Sequence, residues 1–323
     1  MNPRPVRRAP LALAVLLLAA CSRHSSAPSD APPPAPPAAT GAVAPALPVA
    51  NGAPRIALAA DNVHIDYRVF GHGTPLIVLI HGWSCDANYW RAQIDDLARD
   101  YTVVAVNLAG HGASGRNRTH WTMAAFGGDV AAVLDALPVG DAVLVGHSMG
   151  GAVALEAARQ RPERVIGIIG IDAFGSIGAP PRAGADTEFE QLIERMRADY
   201  IGTTRALVAE RFFAKGADPV LVRRTADDMA LAPPEVAIPS MIAFHDYDYG
   251  PALAAIHVPI AAIGSDLQGT PDLERIRKLV PGFRQQLMAG RGHFLMMEDP
   301  AGFDALLREE IGRLIGAPPR ESR

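Results

Sequence analysis

The sequence predicts an α/β protein: a mostly parallel sheet with helices on both faces and a helical cap inserted late in the chain. Three observations predict it. Short apolar runs of strand length alternate with segments whose apolar residues recur at helical spacing. One such run, residues 142–145, passes without a linker into Gly146-His147-Ser148-Met149-Gly150 and then into a helix-like stretch. Residues 173–256 interrupt the alternation with helical patterns alone, as an insertion between two core strands would.

The elements follow in order. Arg4, Arg7 and Arg8 precede a short apolar stretch, 11–18, and the small residues Ala19-Ala20 precede Cys21, which reads as an export signal over 1–20. The apolar run is too short for a bilayer-spanning helix, which needs about 20 residues. Residues 21–54 are rich in Pro, Ala and Ser, a composition that cannot build a core and that reads as a disordered tether. The core is expected over 55–172 and 257–323. Residues 63–69 alternate as a half-buried strand should, and 76–80 form a continuous apolar run, the mark of a strand covered on both faces. Further strands are expected at 102–106, 142–145, 165–171, 260–263 and 283–288. Phe126, Val130, Val133, Leu134 and Leu137 share a helix face, with Thr122 as its cap and Pro138 beyond its end; Phe303, Leu306, Leu307, Ile311, Leu314 and Ile315 share another. In the cap, 173–256, Phe189, Ile193, Met196 and Tyr200 fall on one face, and Pro180-Pro181 and Pro233-Pro234 punctuate the stretch.

Composition narrows the class. Hydrophobic residues make up 49% of the 323 and charged residues 20%, which is globular composition with ample core material. A net charge of −4, with no basic stripe, argues against nucleic-acid binding. Removal of residues 1–20 would take away three arginines and no acid, moving −4 to −7. Cys21 and Cys85 are the only cysteines, so a disulfide framework is not expected, and Cys85 has no neighbour in sequence that would make its thiol reactive. There is no His-Glu-x-x-His, no phosphate loop and no dinucleotide fingerprint, so neither metal nor cofactor is expected; His245-Asp246-Tyr247-Asp248 reads as a loop.

The chemistry centres on Ser148. A G-x-S-x-G pentapeptide between strand and helix forces a sharp turn that presents the serine at the strand's C-terminal end, while the helix N-terminus faces the charge that develops there. A serine hydroxyl needs a base. His293, in Gly290-Arg291-Gly292-His293-Phe294 just beyond the last strand, can reach over the sheet edge to supply it. The base needs an orienting carboxylate. Asp266, in Gly264-Ser265-Asp266-Leu267, is the expected acid because its strand immediately precedes the one leading to His293; Asp172, at the end of 165–171, is the alternative. Backbone N–H groups of Met149 and of Trp83, in Leu79-Ile80-His81-Gly82-Trp83, are the expected oxyanion donors. His81 is expected to make a structural hydrogen bond within its loop.

His81-Gly82-Trp83, Asn107-Leu108-Ala109-Gly110-His111-Gly112-Ala113-Ser114, Gly146-His147-Ser148-Met149-Gly150 and Gly292-His293 occur in that order. Together, from about Arg55 to the C-terminus, they resemble the α/β-hydrolase superfamily in its capped branch of esterases, C–C hydrolases, lactonases and cofactor-free haloperoxidases. The resemblance implies an eight-stranded sheet, a lid after the sixth strand and a Ser-Asp-His order. Two positions depart from the family pattern: Asn107 stands where Asp is common, and Gly264-Ser265-Asp266 is one residue shorter than usual. Leu18-Ala19-Ala20-Cys21 resembles a bacterial lipobox, which implies lipidation of Cys21 and an exported protein anchored in the cell envelope, with Ser22 after the cysteine pointing to the outer membrane; an ordinary cleaved secretory signal with an incidental cysteine is the alternative. The function expected is hydrolysis of a carboxylic ester of a small to medium uncharged substrate through an acyl-enzyme. The same triad acting on a lactone, an N-terminal peptide or a C–C bond, and an inactive tethered binding lipoprotein, are the competing readings. The insertion, not the triad, selects the substrate.

Overall fold

The computed structural model describes residues 50–138, 140–180, 184–267 and 270–316. The export signal, Cys21 and all of the tether up to residue 49 lie outside these. Eight strands form one sheet: β1 Ala50–Leu58, β2 His64–Gly71, β3 Leu76–Ile80, β4 Thr102–Val106, β5 Ala142–His147, β6 Val165–Ile171, β7 Ile260–Ser265 and β8 Arg284–Met288. Their order is β1-β2-β4-β3-β5-β6-β7-β8, with β2 antiparallel to both its neighbours, β1 and β4, and every other pair parallel. This is the expected α/β architecture. β1 is an addition to it: the strand begins at Ala50, inside the segment read as tether. Asn51, Gly52 and Pro54 hide it, and it is formed by pairing antiparallel with β2 across an irregular register.

Eleven α-helices are described: α1 Arg91–Leu97, α2 Met123–Ala136, α3 Met149–Gln160, α4 Ala185–Ala198, α5 Tyr200–Arg211, α6 Pro219–Met229, α7 Pro234–His245, α8 Gly250–Ala255, α9 Leu273–Leu279, α10 Leu295–Glu298 and α11 Pro300–Ile315. α2, α3 and α8 pack together against one face of the sheet, and α1, α10 and α11 against the other. The Thr122 hydroxyl caps α2 by accepting from the Ala125 N–H at 3.2 Å. β3, β4 and β5 are buried along their whole length, which is why their sequences run apolar without alternation apart from Thr102 at the start of β4 and His147 at the end of β5. In β2, His64 and Arg68 are exposed while Ile65, Tyr67 and Val69 are buried, as the alternation predicts. Asp66 breaks that pattern: it is buried and accepts from Asn107 Nδ2 at 2.6 Å, while Asn107 Oδ1 accepts from the Ala87 N–H at 2.8 Å. An aspartate at 107 would set two carboxylates against each other and lose the donor, which accounts for the departure from the family pattern there.

Helices α4 to α7 form the cap between β6 and β7. Their inward faces carry Ile193, Met196, Val208, Leu221, Met229, Val236 and Ala237, all buried. The single apolar face drawn through Phe189 and Tyr200 is divided between two helices, because the chain turns at Asp199, whose carboxylate caps α5 through the Gly202 N–H. Among the described residues no helix is long and apolar enough to cross a membrane, and no group of three or more His, Cys, Asp or Glu side chains could hold a metal ion.

Three buried histidines tie the fold's stability to pH. Burial holds the imidazoles of His81, His111 and His147 below their usual range, His111 at about 4 and His147, with His293 beside it, at about 3. In the unfolded chain each titrates near 6.5, so their neutral state favours the fold fully above that pH. Below it the unfolded chain binds the protons that the folded one refuses, and stability falls by about 1.4 kcal/mol per pH unit per histidine. The urea midpoint is therefore expected to drop clearly between pH 7.0 and pH 5.5, above the range where most carboxylates titrate; an unmoved midpoint would contradict the burial of these rings.

Candidate active site

The parallel strands end in register, and the site sits on that edge. Ile80 of β3 pairs with Gly146 of β5, His147 with Ile171 of β6, Ile171 with Ile263 of β7, and Ser265 with Met288 of β8. The residues just past these positions, Gly82-Trp83, Ser148, Asp172 and the loop to His293, thus emerge side by side, in the place where open α/β sheets bind ligands.

Ser148 joins β5 directly to α3 with φ 53° and ψ −119°, a left-handed conformation held by the structure around it. Two glycines make the turn possible. A Cβ on Gly146 would stand 2.2 Å from the Gly150 carbonyl oxygen, and one on Gly150 would stand 2.6 Å from the carbonyl oxygens of Ile80 and His81. The Ser148 N–H donates to the Ile171 carbonyl at 2.9 Å, and the side chain is half-buried. The Gly82 backbone passes so close that a Cβ there would be 3.3 Å from Ser148 Cβ. Neither the Trp83 nor the Met149 backbone N–H donates to another group among the described residues. Both flank Ser148, one beyond Gly82 and one at the first residue of α3. His81 makes its structural bond: its Nε2 accepts from the Leu108 N–H at 3.1 Å, which leaves Nδ1–H to donate to the Gly82 carbonyl at 2.8 Å. The Cys85 thiol is buried, donates to the Trp83 carbonyl at 3.3 Å and is pushed well up by burial and by Asp228 and Asp86, so it is no nucleophile.

His293 meets Asp172, not Asp266. Its Nδ1 lies 2.6 Å from Asp172 Oδ2, so with Nδ1–H donating, Nε2 is left as the basic lone pair. Asp172 Oδ1 accepts from both the backbone N–H of Ser265, at 2.8 Å, and its hydroxyl, at 3.0 Å. Burial alone would push the Asp172 carboxyl up, but the bonds from His293 and Ser265 outweigh it and hold the carboxyl below its usual value. Asp266, the expected acid, is exposed and accepts from the Gly290 N–H at 2.9 Å. Side-chain alternation explains the exchange: the Ser265 hydroxyl faces the site at the end of β7, so the next residue points away from it. The loop shortened by one residue leaves the inward place to Asp172, which turns out of β6 with φ 45°.

The loop carrying His293 is braced from two further sides. His147 Nε2 donates to the His293 carbonyl at 2.9 Å, with the two rings 4.6 Å apart. The His293 N–H donates to the Phe212 carbonyl at 2.6 Å, and the Phe212 ring lies 4.9 Å from the imidazole. His147, Ser265 and Phe212 were not singled out by sequence reasoning. His147 lies inside the serine pentapeptide; the other two act through a β-strand terminus and a backbone carbonyl, which leave no motif.

An eight-stranded sheet in this order, bearing a serine on a strained strand-to-helix turn and a His–Asp pair beside it, is the architecture of an α/β hydrolase. The family model described as "Alpha/beta hydrolase family" matches residues 77–306, and the chain belongs to that family of hydrolases. It is 29% identical over 258 residues to an AB hydrolase superfamily protein of Bacillus subtilis, covering 77% of this chain and 96% of that protein. It is 27% identical over 261 residues to a dihydrolipoyllysine-residue acetyltransferase component of the acetoin cleaving system of Cupriavidus necator, covering 78% of this chain and 67% of that protein. Among solved structures, a thermophilic esterase from Thermogutta terrifontis superposes with a TM-score of 0.71 at 22% identity, covering 81% of this chain and 99% of that one, a likeness of fold.

Proposed function

We propose that this α/β hydrolase is a serine esterase that cleaves carboxylic esters of small to medium uncharged substrates through an acyl-enzyme. The observation that carries the reading is the 2.6 Å bond between His293 and Asp172 at the same sheet edge as the strained Ser148. Ser148 Oγ attacks the ester carbonyl as His293 Nε2 takes its proton, and Asp172 stabilises the imidazolium that results. The oxyanion is received by the Trp83 and Met149 N–H groups, reinforced by the N-terminus of α3. The tetrahedral adduct collapses, His293 returns the proton to the departing alcohol, and water resolves the acyl-enzyme by the same route. The acid is thus Asp172 from β6, in place of Asp266.

Ester hydrolysis is tested with purified protein on p-nitrophenyl acetate and butyrate, alongside lactone and aminopeptidase substrates, together with a fluorophosphonate probe. The expected result is ester turnover and labelling at Ser148. Preference for a lactone or peptide would keep the triad and change the substrate; a chain that neither turns over nor labels would overturn the reading.

A further inference from the structure

Trp83 and His293 both lie on irregular backbone, in the turn after β3 and in the turn before α10, so neither is held by a strand or helix of its own. Each is fastened to the cap instead. The indole Nε1–H of Trp83 donates to the carbonyl of Ala237 in α7 at 2.7 Å, with both residues buried. The next residue, Ser84, has its hydroxyl 3.2 Å from the hydroxyl of Tyr200 at the start of α5. On the other flank, the His293 N–H donates to the carbonyl of Phe212 at the end of α5, 2.6 Å away. Gly292 lies so near that a Cβ there would stand 2.5 Å from the same oxygen.

Resting on the esterase reading above, we infer that the cap positions the reacting groups: α7 sets the Trp83 oxyanion amide through the Ala237 carbonyl, and α5 sets His293 through the Phe212 carbonyl. The cap then acts on kcat as well as on substrate choice. The Trp83–Ala237 and Ser84–Tyr200 bonds are buried, so no bulk water replaces one that is lost, and the partner left behind is not resolvated. A misplacement of about 1 Å at a reacting group can cost about 100-fold in rate. Tyr200 and Phe212 are therefore positioning residues, and the Trp83 indole positions its own backbone amide.

The test uses the full chain. Trp83→Phe keeps an aromatic ring and removes the Nε1–H. It is expected to lower kcat on p-nitrophenyl butyrate by about 10-fold or more while KM stays within about threefold. The second-order rate of labelling by a small fluorophosphonate should fall in proportion, because that probe reads base and oxyanion amides without filling the cap. An unchanged kcat in a cooperatively melting variant, or a loss carried by KM alone, would overturn the inference. Should Trp83→Phe fail to fold, Tyr200→Phe reads the same split through Ser84, and a kcat equal to wild type overturns it there. A wild-type chain that neither hydrolyses ester nor labels would defeat the esterase reading itself, an outcome distinct from a normal wild type with unaffected variants.

Discussion

Asp172→Asn is expected to lower kcat on p-nitrophenyl butyrate by about 10³–10⁴-fold, whereas Asp266→Asn should stay within about threefold of wild type. The asymmetry follows from what each carboxylate touches. Asp172 receives the Nδ1–H of His293; in the proposed mechanism this bond fixes the tautomer that leaves Nε2 free to take the serine proton, and the carboxylate stabilises the imidazolium formed in the transition state. An asparagine there can keep its amide oxygen on the Ser265 N–H and hydroxyl, so the loop stays in place. The group then facing His293 is an amide N–H, which favours the tautomer protonated at Nε2. Among the described residues Asp266 holds only the Gly290 N–H, a bond an asparagine oxygen also makes, at an exposed position. Steady-state rates with thermal melts of both variants decide it. An inactive Asp266 variant beside a normal Asp172 variant would return the acid to β7.

This pair also shows where the sequence stops being legible. The parallel core could be read because β3 and residues 142–145 of β5 are apolar at every position, as burial on both faces requires. Ser148 could be read because its turn admits glycine alone at 146 and 150. Which aspartate meets His293 could not be read from strand order, because order places two aspartates on one sheet edge and only the parity of the last strand residue says which points inward. Ser265 settles that parity, and its hydroxyl carries no signature in a sequence. β1 escaped for a different reason: at the sheet's edge Ile56 and Leu58 are more than half exposed while small Ala57 is the buried residue between them, so its apolar pattern runs against its burial. The cap's bonds to Trp83 and His293 end on carbonyls of Ala237 and Phe212, and a backbone acceptor is the same whatever the residue.

Ser148→Ala is expected to remove ester turnover by about 10⁵–10⁶-fold and to abolish phosphonate labelling, leaving the residual rate that oxyanion amides and binding supply without a nucleophile. Equal rates for variant and wild type would remove Ser148 from the mechanism. The same position makes a second, opposite demand on the fold. At φ 53° and ψ −119° a Cβ is strained whether or not it carries a hydroxyl, by about 1–3 kcal/mol. Alanine should therefore leave stability nearly unchanged, while Ser148→Gly should raise the unfolding free energy, the relief of strain exceeding the roughly 0.5–1 kcal/mol that glycine's extra freedom in the unfolded chain takes back. Urea titration of the three proteins measures both differences. A glycine variant that is inactive yet more stable than the serine protein would show that the turn is kept strained for its hydroxyl, since nothing in the packing of Gly146, Gly150 and Gly82 around it requires a side chain there.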